Sequence, residues 1–169
     1  MSINYKNSIS ALLLLSCGLL AILVPGGSIE TRNFSHIDPF VLGCFNTFLT
    51  LLVMVSVLII YYLLQDIYWA YAVTALCGVS YLIVYALDLA EIFPVSFDPM
   101  PQALFIIELI GLVVSLPLIF LSVRRSFATS LPAQKTKQLY SKRFIYFAFI
   151  LSIASLSIIV FATKSAMGV

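Results

Sequence analysis

Five long apolar runs constrain the fold of this chain more than any other feature. Each is close to the ~20 residues that a helix needs to cross a hydrocarbon layer of ~30 Å. The runs cover residues 9–24, 40–64, 69–87, 103–123 and 144–163. Because hydrocarbon cannot satisfy backbone N–H and C=O groups, such runs must form helices. The sequence therefore predicts an all-α integral membrane protein, a compact bundle of five transmembrane helices.

The composition supports this class of protein. The chain has 169 residues, of which 62% are hydrophobic and only 9% are charged, whereas roughly a quarter of the residues in a soluble domain are charged. The connections are short, so consecutive helices should be antiparallel neighbours, and we predict that residues 1–169 form a single domain. The first run resembles a secretion signal in length, but it continues for seven apolar residues beyond Cys17. We therefore interpret it as a retained helix.

The positions of the charges predict how the chain is oriented. The segment 124–143 carries six Lys and Arg residues and no acid, and short loops rich in Lys and Arg stay in the cytoplasm. The N-terminus should then be cytoplasmic and the C-terminus outside, in a bacterial cytoplasmic membrane. The outer side would hold Glu30, Arg32, Asp38, Asp88, Glu91, Asp98 and Lys164, with a net charge of −3. The cytoplasmic side would carry +6, with Asp66 as its only acid.

Glu108 is the most informative single residue, because it is an acid within the fourth apolar run. A carboxylate there costs roughly 2.5–3.5 kcal/mol, so it should face protein or a water-filled cavity. Gly111 and Ser115 follow on the same helix face. One hypothesis is a proton or cation relay that uses Glu108 and Ser115. The other is a structural carboxyl that binds a neighbouring helix, through Tyr81, Tyr85 or Lys164.

The two predicted outer connections hold the other polar candidates. Glu30, His36 and Asp38 lie in the first connection, and Asp88 and Glu91 belong to the second. The first set could supply mixed nitrogen and oxygen metal ligands, or a base with an orienting carboxylate. The second could attract cations to a pore. We favour solvated connectors with a helix cap, and we predict no metal, no cofactor and no catalytic residue, since known catalytic motifs are missing from the sequence.

Small residues and the basic segment suggest what the helices and loops contact. Ala70, Thr74 and Gly78 recur every fourth residue in the third run, and Gly111 lies in the fourth. Such residues allow close helix packing, within one chain or in a homo-oligomer or larger membrane complex. Besides the lipid bilayer itself, the segment from Arg124 to Arg143 could bind anionic lipid headgroups at ~1 kcal/mol per base. Nucleic acid is not an expected partner.

Three hypotheses for function follow from these residues. The favoured one is a small polytopic membrane protein that acts as a non-catalytic or accessory component. The first alternative is a small transporter or channel with Glu108 as its relay. The second alternative is an intramembrane enzyme that acts on a lipid or quinone through Glu108 and His36.

The orientation can be tested with single cysteines placed at Ser35 and Ser130 in a background without the three native cysteines. We expect Ser35→Cys, in the outer connection, to react with a membrane-impermeant maleimide on intact cells. Ser130→Cys should react only after the membrane is permeabilised. Labelling of Ser130→Cys on intact cells would contradict the predicted orientation.

Overall fold

The computed structural model describes residues 5–25, 27–128 and 142–167, in which all regular secondary structure is helical. The helices are α1 (Tyr5–Ile22), α2 (Pro39–Leu64), α3 (Tyr68–Leu89), α4 (Gln102–Ala128) and α5 (Lys142–Ala166). All five are long and apolar enough to span a membrane. The predicted all-α class with five such helices is confirmed. Residues 129–141, most of the predicted basic loop, lie outside the described residues.

The helix bounds differ from the apolar runs mainly at the ends where charged residues flank the run. α1 begins at Tyr5, four residues before the first run, and α4 continues through Arg124 and Arg125 to Ala128. Hydropathy marks the part of a helix that suits hydrocarbon, whereas straight-chain charged residues such as Lys and Arg are good helix formers. The apolar pattern therefore underestimates the length of both helices.

The start of α2 is fixed by a side-chain cap. The carboxylate of Asp38 accepts hydrogen bonds from the backbone N–H groups of Phe40 at 2.9 Å and Val41 at 3.3 Å. Pro39 occupies the first turn, where its missing N–H costs nothing. Asp38 thus satisfies two of the N–H groups that a helix start leaves unpaired.

α3 and α4 form the most extensive helix pair in the bundle. A Cβ atom on Gly111 would lie 2.5 Å from Cε2 of Tyr85, and one on Gly78 would lie 2.9 Å from Cγ1 of Ile119. Both distances are too short for carbon atoms, so the two helices approach this closely only because glycine occupies both positions. Ala70 and Thr74 are fully buried on the same helix as Gly78.

The other helices surround this pair unequally. α1 packs against α2 and α4, whereas α5 packs against α2 alone. In the described part of the chain, α1 and α5 make no direct packing contact. α5 is also the least buried helix, and a gap lies between it and α1 over the surface of α2.

One end of the bundle, which we call the acidic end, contains the connections 23–38 and 90–101 and the last turn of α5. The two connections are joined by a hydrogen bond of 3.0 Å from the backbone N–H of Asn33 to Oδ2 of Asp98. The backbone N–H of Phe34 donates to the carbonyl of Ala166 at 3.1 Å. These bonds tie the first connection to both of its neighbours.

The opposite end, which we call the basic end, contains the start of α1, the α2–α3 turn and the last turns of α4. Nη2 of Arg125 lies 3.5 Å from Oδ2 of Asp66, and the hydroxyl of Tyr71 donates to the same carboxylate. The ammonium of Lys6 donates to the carbonyl of Leu64 at 3.3 Å. Asp66 thus joins the α2–α3 turn to α4, and this contact is its structural role at the basic end.

We expect Gly111→Ala to lower the melting temperature in detergent. The added methyl group would overlap the ring of Tyr85, and overpacking of this kind costs about 1–3 kcal/mol. Gly18→Ala is the matched control, because no atom lies within 4 Å of a Cβ placed there. An equal melting temperature for the two variants would contradict the close α3–α4 approach.

Candidate functional site

A buried arginine is the centre of a charged cluster at the acidic end. Arg32 is only 7% exposed, although it belongs to the 23–38 connection. Its Nε and Nη2 donate to the carboxylate of Glu30 at 3.0 and 2.6 Å. Its Nη1 and Nη2 donate to the carboxylate of Asp88 at 2.9 and 2.8 Å. Both acids are therefore bound through pairs of hydrogen bonds, the strongest way for a guanidinium to hold a carboxylate.

Arg32 stays charged in this environment. Burial opposes the charged form, but the hydrogen bonds and charges of Glu30 and Asp88 outweigh it and raise the pKa of Arg32 above its ordinary value. The ring of Phe34 covers the guanidinium, with its centroid 5.3 Å from Cζ. The cluster is thus a desolvated ion group and not a solvent-exposed surface pair.

Glu108 completes the cluster from α4. It is 2% exposed, and it lies beside Asp88, close enough to interact electrostatically with Arg32 and Glu30. The Glu108 carboxyl is within hydrogen-bonding reach of the Asp88 carboxyl, whereas its Oε2 is buried and, like the hydroxyl of Tyr85, has no hydrogen-bond partner among the described residues. Buried polar groups normally have partners, so these two atoms have unused hydrogen-bonding capacity inside the bundle.

Both unpartnered groups line a small cavity, which we call the Glu108 cavity. Its volume is about 40 Å³. A site needs ~10–15 Å³ of such volume to hold one water molecule, so the cavity can take a few waters or one small polar group. Its polar lining consists of Glu30, Arg32, Asn46, Tyr85, Asp88 and Glu108.

The cluster contains more negative than positive groups. Three carboxyls, those of Glu30, Asp88 and Glu108, lie around the single guanidinium of Arg32. Like charges that share a site disfavour full ionisation, so the arrangement favours uptake of a proton or a cation. In the described ranges, no three His, Cys, Asp or Glu side chains form a group that could hold a metal ion.

The structure brings together some of the predicted site residues and separates others. Glu30, Asp88 and Glu108 share one cavity. His36 is exposed, with its ring centroid 4.4 Å from that of Phe97, and Glu91 is exposed in the turn after α3. The hydroxyl of Ser115 donates to the carbonyls of its own helix, and its role in a relay stays a prediction.

Arg32 is the site residue that sequence reasoning did not single out. A signal was present, since Arg32 is the only Lys or Arg residue in the connections 23–38 and 90–101. That signal could not identify the partners, because Arg32 and Asp88 are 56 positions apart. Nothing in the local sequence indicates that the side chain turns into the bundle.

Comparison with known families identifies the family to which the chain belongs but assigns it no function. Residues 5–142 match the family described as "Domain of unknown function (DUF8051)", and the chain belongs to this family. The matched segment covers α1–α4 and includes every residue of the charged cluster, whereas α5 lies almost entirely beyond it. No curated protein and no solved structure matches the chain.

We expect Arg32→Met to destabilise the protein by about 3–5 kcal/mol, because removing one partner of a buried ion group leaves the other charges uncompensated. The measurement is the free energy of unfolding from denaturant titration in detergent. Arg124→Met removes an exposed charge of the same type and should change the stability little. Equal effects of the two substitutions would show that the cluster does not hold the acidic end together.

Proposed function

We propose that the chain is an integral membrane protein that crosses a cytoplasmic membrane five times. The helices contain 18 to 27 residues, and at 1.5 Å per residue this is close to the ~30 Å of a hydrocarbon core. The excess of Lys and Arg in the segment 124–143 supports a cytoplasmic location for the basic end. The acidic end then faces outward.

Within this membrane protein we propose that Glu108 binds and releases a proton or a small monovalent cation, as the relay of a small transporter. The observation that carries this proposal is the unpartnered Oε2 of Glu108 in a cavity with two further carboxyls. Ionisable groups within membrane spans are costly and are functional candidates for that reason. The lining of the cavity includes residues of both connections at the acidic end, so the ion would enter from the outer side.

The buried face of α3 carries further hydroxyl groups beyond Glu108, although they do not form a continuous hydrogen-bonded chain, because the Tyr85 hydroxyl has no partner among the described residues. Tyr85 and Tyr81 lie one turn apart with their rings stacked at 6.4 Å between centroids, and the Tyr81 hydroxyl donates to Oγ of Ser56 at 3.1 Å. Thr74 and Tyr71 continue the same buried face toward the basic end. Hydroxyl groups both donate and accept hydrogen bonds, which is the property that a proton path needs.

A second candidate is the accessory membrane component, and a different observation favours it. Arg32 makes four side-chain hydrogen bonds to Glu30 and Asp88, which fix the 23–38 connection to the end of α3. Such a cluster would keep the 23–38 connection in one conformation, and this role does not involve the movement of an ion. In this case Glu108 would be a structural carboxyl beneath that surface.

Proton flux through proteoliposomes distinguishes the two candidates. The full-length protein is reconstituted with pyranine inside the vesicles, the external medium is acidified, and valinomycin with potassium prevents charge build-up. We expect the wild type to acidify the lumen faster than protein-free vesicles. Glu108→Gln should reduce the rate to that of protein-free vesicles, because the amide cannot take up and release the proton.

Glu91→Gln is the matched control, since Glu91 is an exposed carboxylate at the same end of the bundle. It should retain the wild-type rate, and circular dichroism checks that both variants fold. A Glu108→Gln variant with the same proton flux as the wild type would contradict the proposal that Glu108 is a relay. A wild type without proton flux, whose melting temperature falls on Glu108→Gln substitution, would favour the accessory role.

A further inference from the structure

A second cavity, which we call the lateral cavity, lies between α1, α2 and α5. Its volume is about 110 Å³, less than that of an apolar cavity of about 150 Å³ that binds benzene in a protein interior, so it has room for only part of a long aliphatic chain. Since α1 and α5 both pack on α2 but not on each other in the described residues, the cavity lies at a gap between two helices. In a bilayer this gap would face the lipid.

The walls of the lateral cavity present hydrocarbon. The hydroxyls of Thr50 and Ser155 donate to carbonyls of their own helices at 2.8 Å. The side-chain amide of Asn46 donates to Oγ1 of Thr163 at 3.3 Å. All other lining residues besides Asn46, Thr50 and Ser155 are apolar. An occupant of this cavity therefore needs an aliphatic chain and not a polar group.

The lateral cavity adjoins the Glu108 cavity. The two share five lining residues, Leu20, Leu23, Pro25, Asn46 and Leu49. One cavity is thus almost entirely apolar, and the other is lined by Glu108 and Tyr85, whose Oε2 and hydroxyl have no hydrogen-bond partner among the described residues. Glu108 and Tyr85 are 2% and 1% exposed, so a group that reaches them must enter the protein.

We propose that these two adjoining cavities bind one long-chain amphiphile, whose chain occupies the lateral cavity and whose head passes the shared lining residues to donate a hydrogen bond to Glu108. The head is a hydroxyl or a primary ammonium group, because the Glu108 cavity of about 40 Å³ has room for little more. The proposal rests on the insertion of the helices in a membrane. It does not require that Glu108 move a proton.

The charges of the cluster exclude an anionic head. Arg32 is the only cationic side chain that lines the Glu108 cavity, and Glu30 and Asp88 already accept its four side-chain hydrogen bonds. A carboxylate or phosphate head would meet three carboxyl groups and no available cation. An alcohol or ammonium head would instead satisfy the oxygen that now lacks a partner.

Photolabelling of the full-length protein in nanodiscs tests this. The probes are a long-chain amine, alcohol and fatty acid, each with the same diazirine in the chain. Placing like charges together disfavours binding of the acid, and a tenfold difference in affinity corresponds to ~1.4 kcal/mol. We therefore expect the amine and the alcohol to label peptides containing residues 20–25, 46–54 and 151–162 at least about tenfold more than the acid. Equal labelling by the acid would overturn the proposal.

Two substitutions test where the aliphatic chain and the head group of the amphiphile bind. Ala154→Phe places a ring in the lateral cavity, which Ala154 lines, and it should abolish the selective labelling. Ala72→Phe, on an exposed face of α3, should leave it unchanged. Glu108→Gln should remove the preference for the amine over the acid. Unchanged selectivity in Ala154→Phe or in Glu108→Gln would overturn the proposal, even if Glu108→Gln abolished proton flux.

Discussion

The ion group of Arg32 with Glu30 and Asp88 is the interaction on which the acidic end depends. Two of its members belong to the 23–38 connection and the third to the last turn of α3, so one guanidinium joins a loop to the central helix pair. Burying charges costs several kcal/mol per ion unless hydrogen bonds compensate. Here each carboxylate accepts at least two hydrogen bonds from Arg32. The connection cannot leave its place without exposing or separating these charges.

The same ion group explains why the carboxyl of Glu108 is not paired with a cation. Because Arg32 directs its hydrogen bonds to two other acids, the third carboxyl has no cation of its own. The close α3–α4 packing at Gly111 holds Glu108 in this position, since the ring of Tyr85 lies where a side chain would otherwise be. A cluster with equal numbers of acids and bases would need only a structural explanation. The excess of two acids over one base in this cavity is the reason for proposing a ligand-binding or proton-binding role.

Hydropathy and helix periodicity predicted the parts of this structure that depend on local pattern. Five apolar runs specify five helices, and the spacing of Glu108, Gly111 and Ser115 specifies one inward face. The ion group was beyond such reasoning, because its partners come from a loop and a helix end far apart in sequence. A similar limit applied to Asp66, which seemed out of place on a basic side. Its contact with Tyr71 is local, but its contact with Arg125 becomes visible only once the α2–α3 turn lies against α4.

The Glu108 cavity and the lateral cavity are built from different parts of the chain. All four charged residues of the cluster lie in the segment that matches the family, and this segment ends where α5 begins. α5 contributes a wall of the lateral cavity, and it is held to the bundle at the acidic end by Thr163 and by the carbonyl of Ala166. Among the described helices α5 packs on α2 alone, and its contact with Phe34, whose ring covers Arg32, links it to the ion group. The charged cluster is thus built from α3, α4 and the first connection, whereas α5 contributes to the lining of the lateral cavity and not to that of the Glu108 cavity.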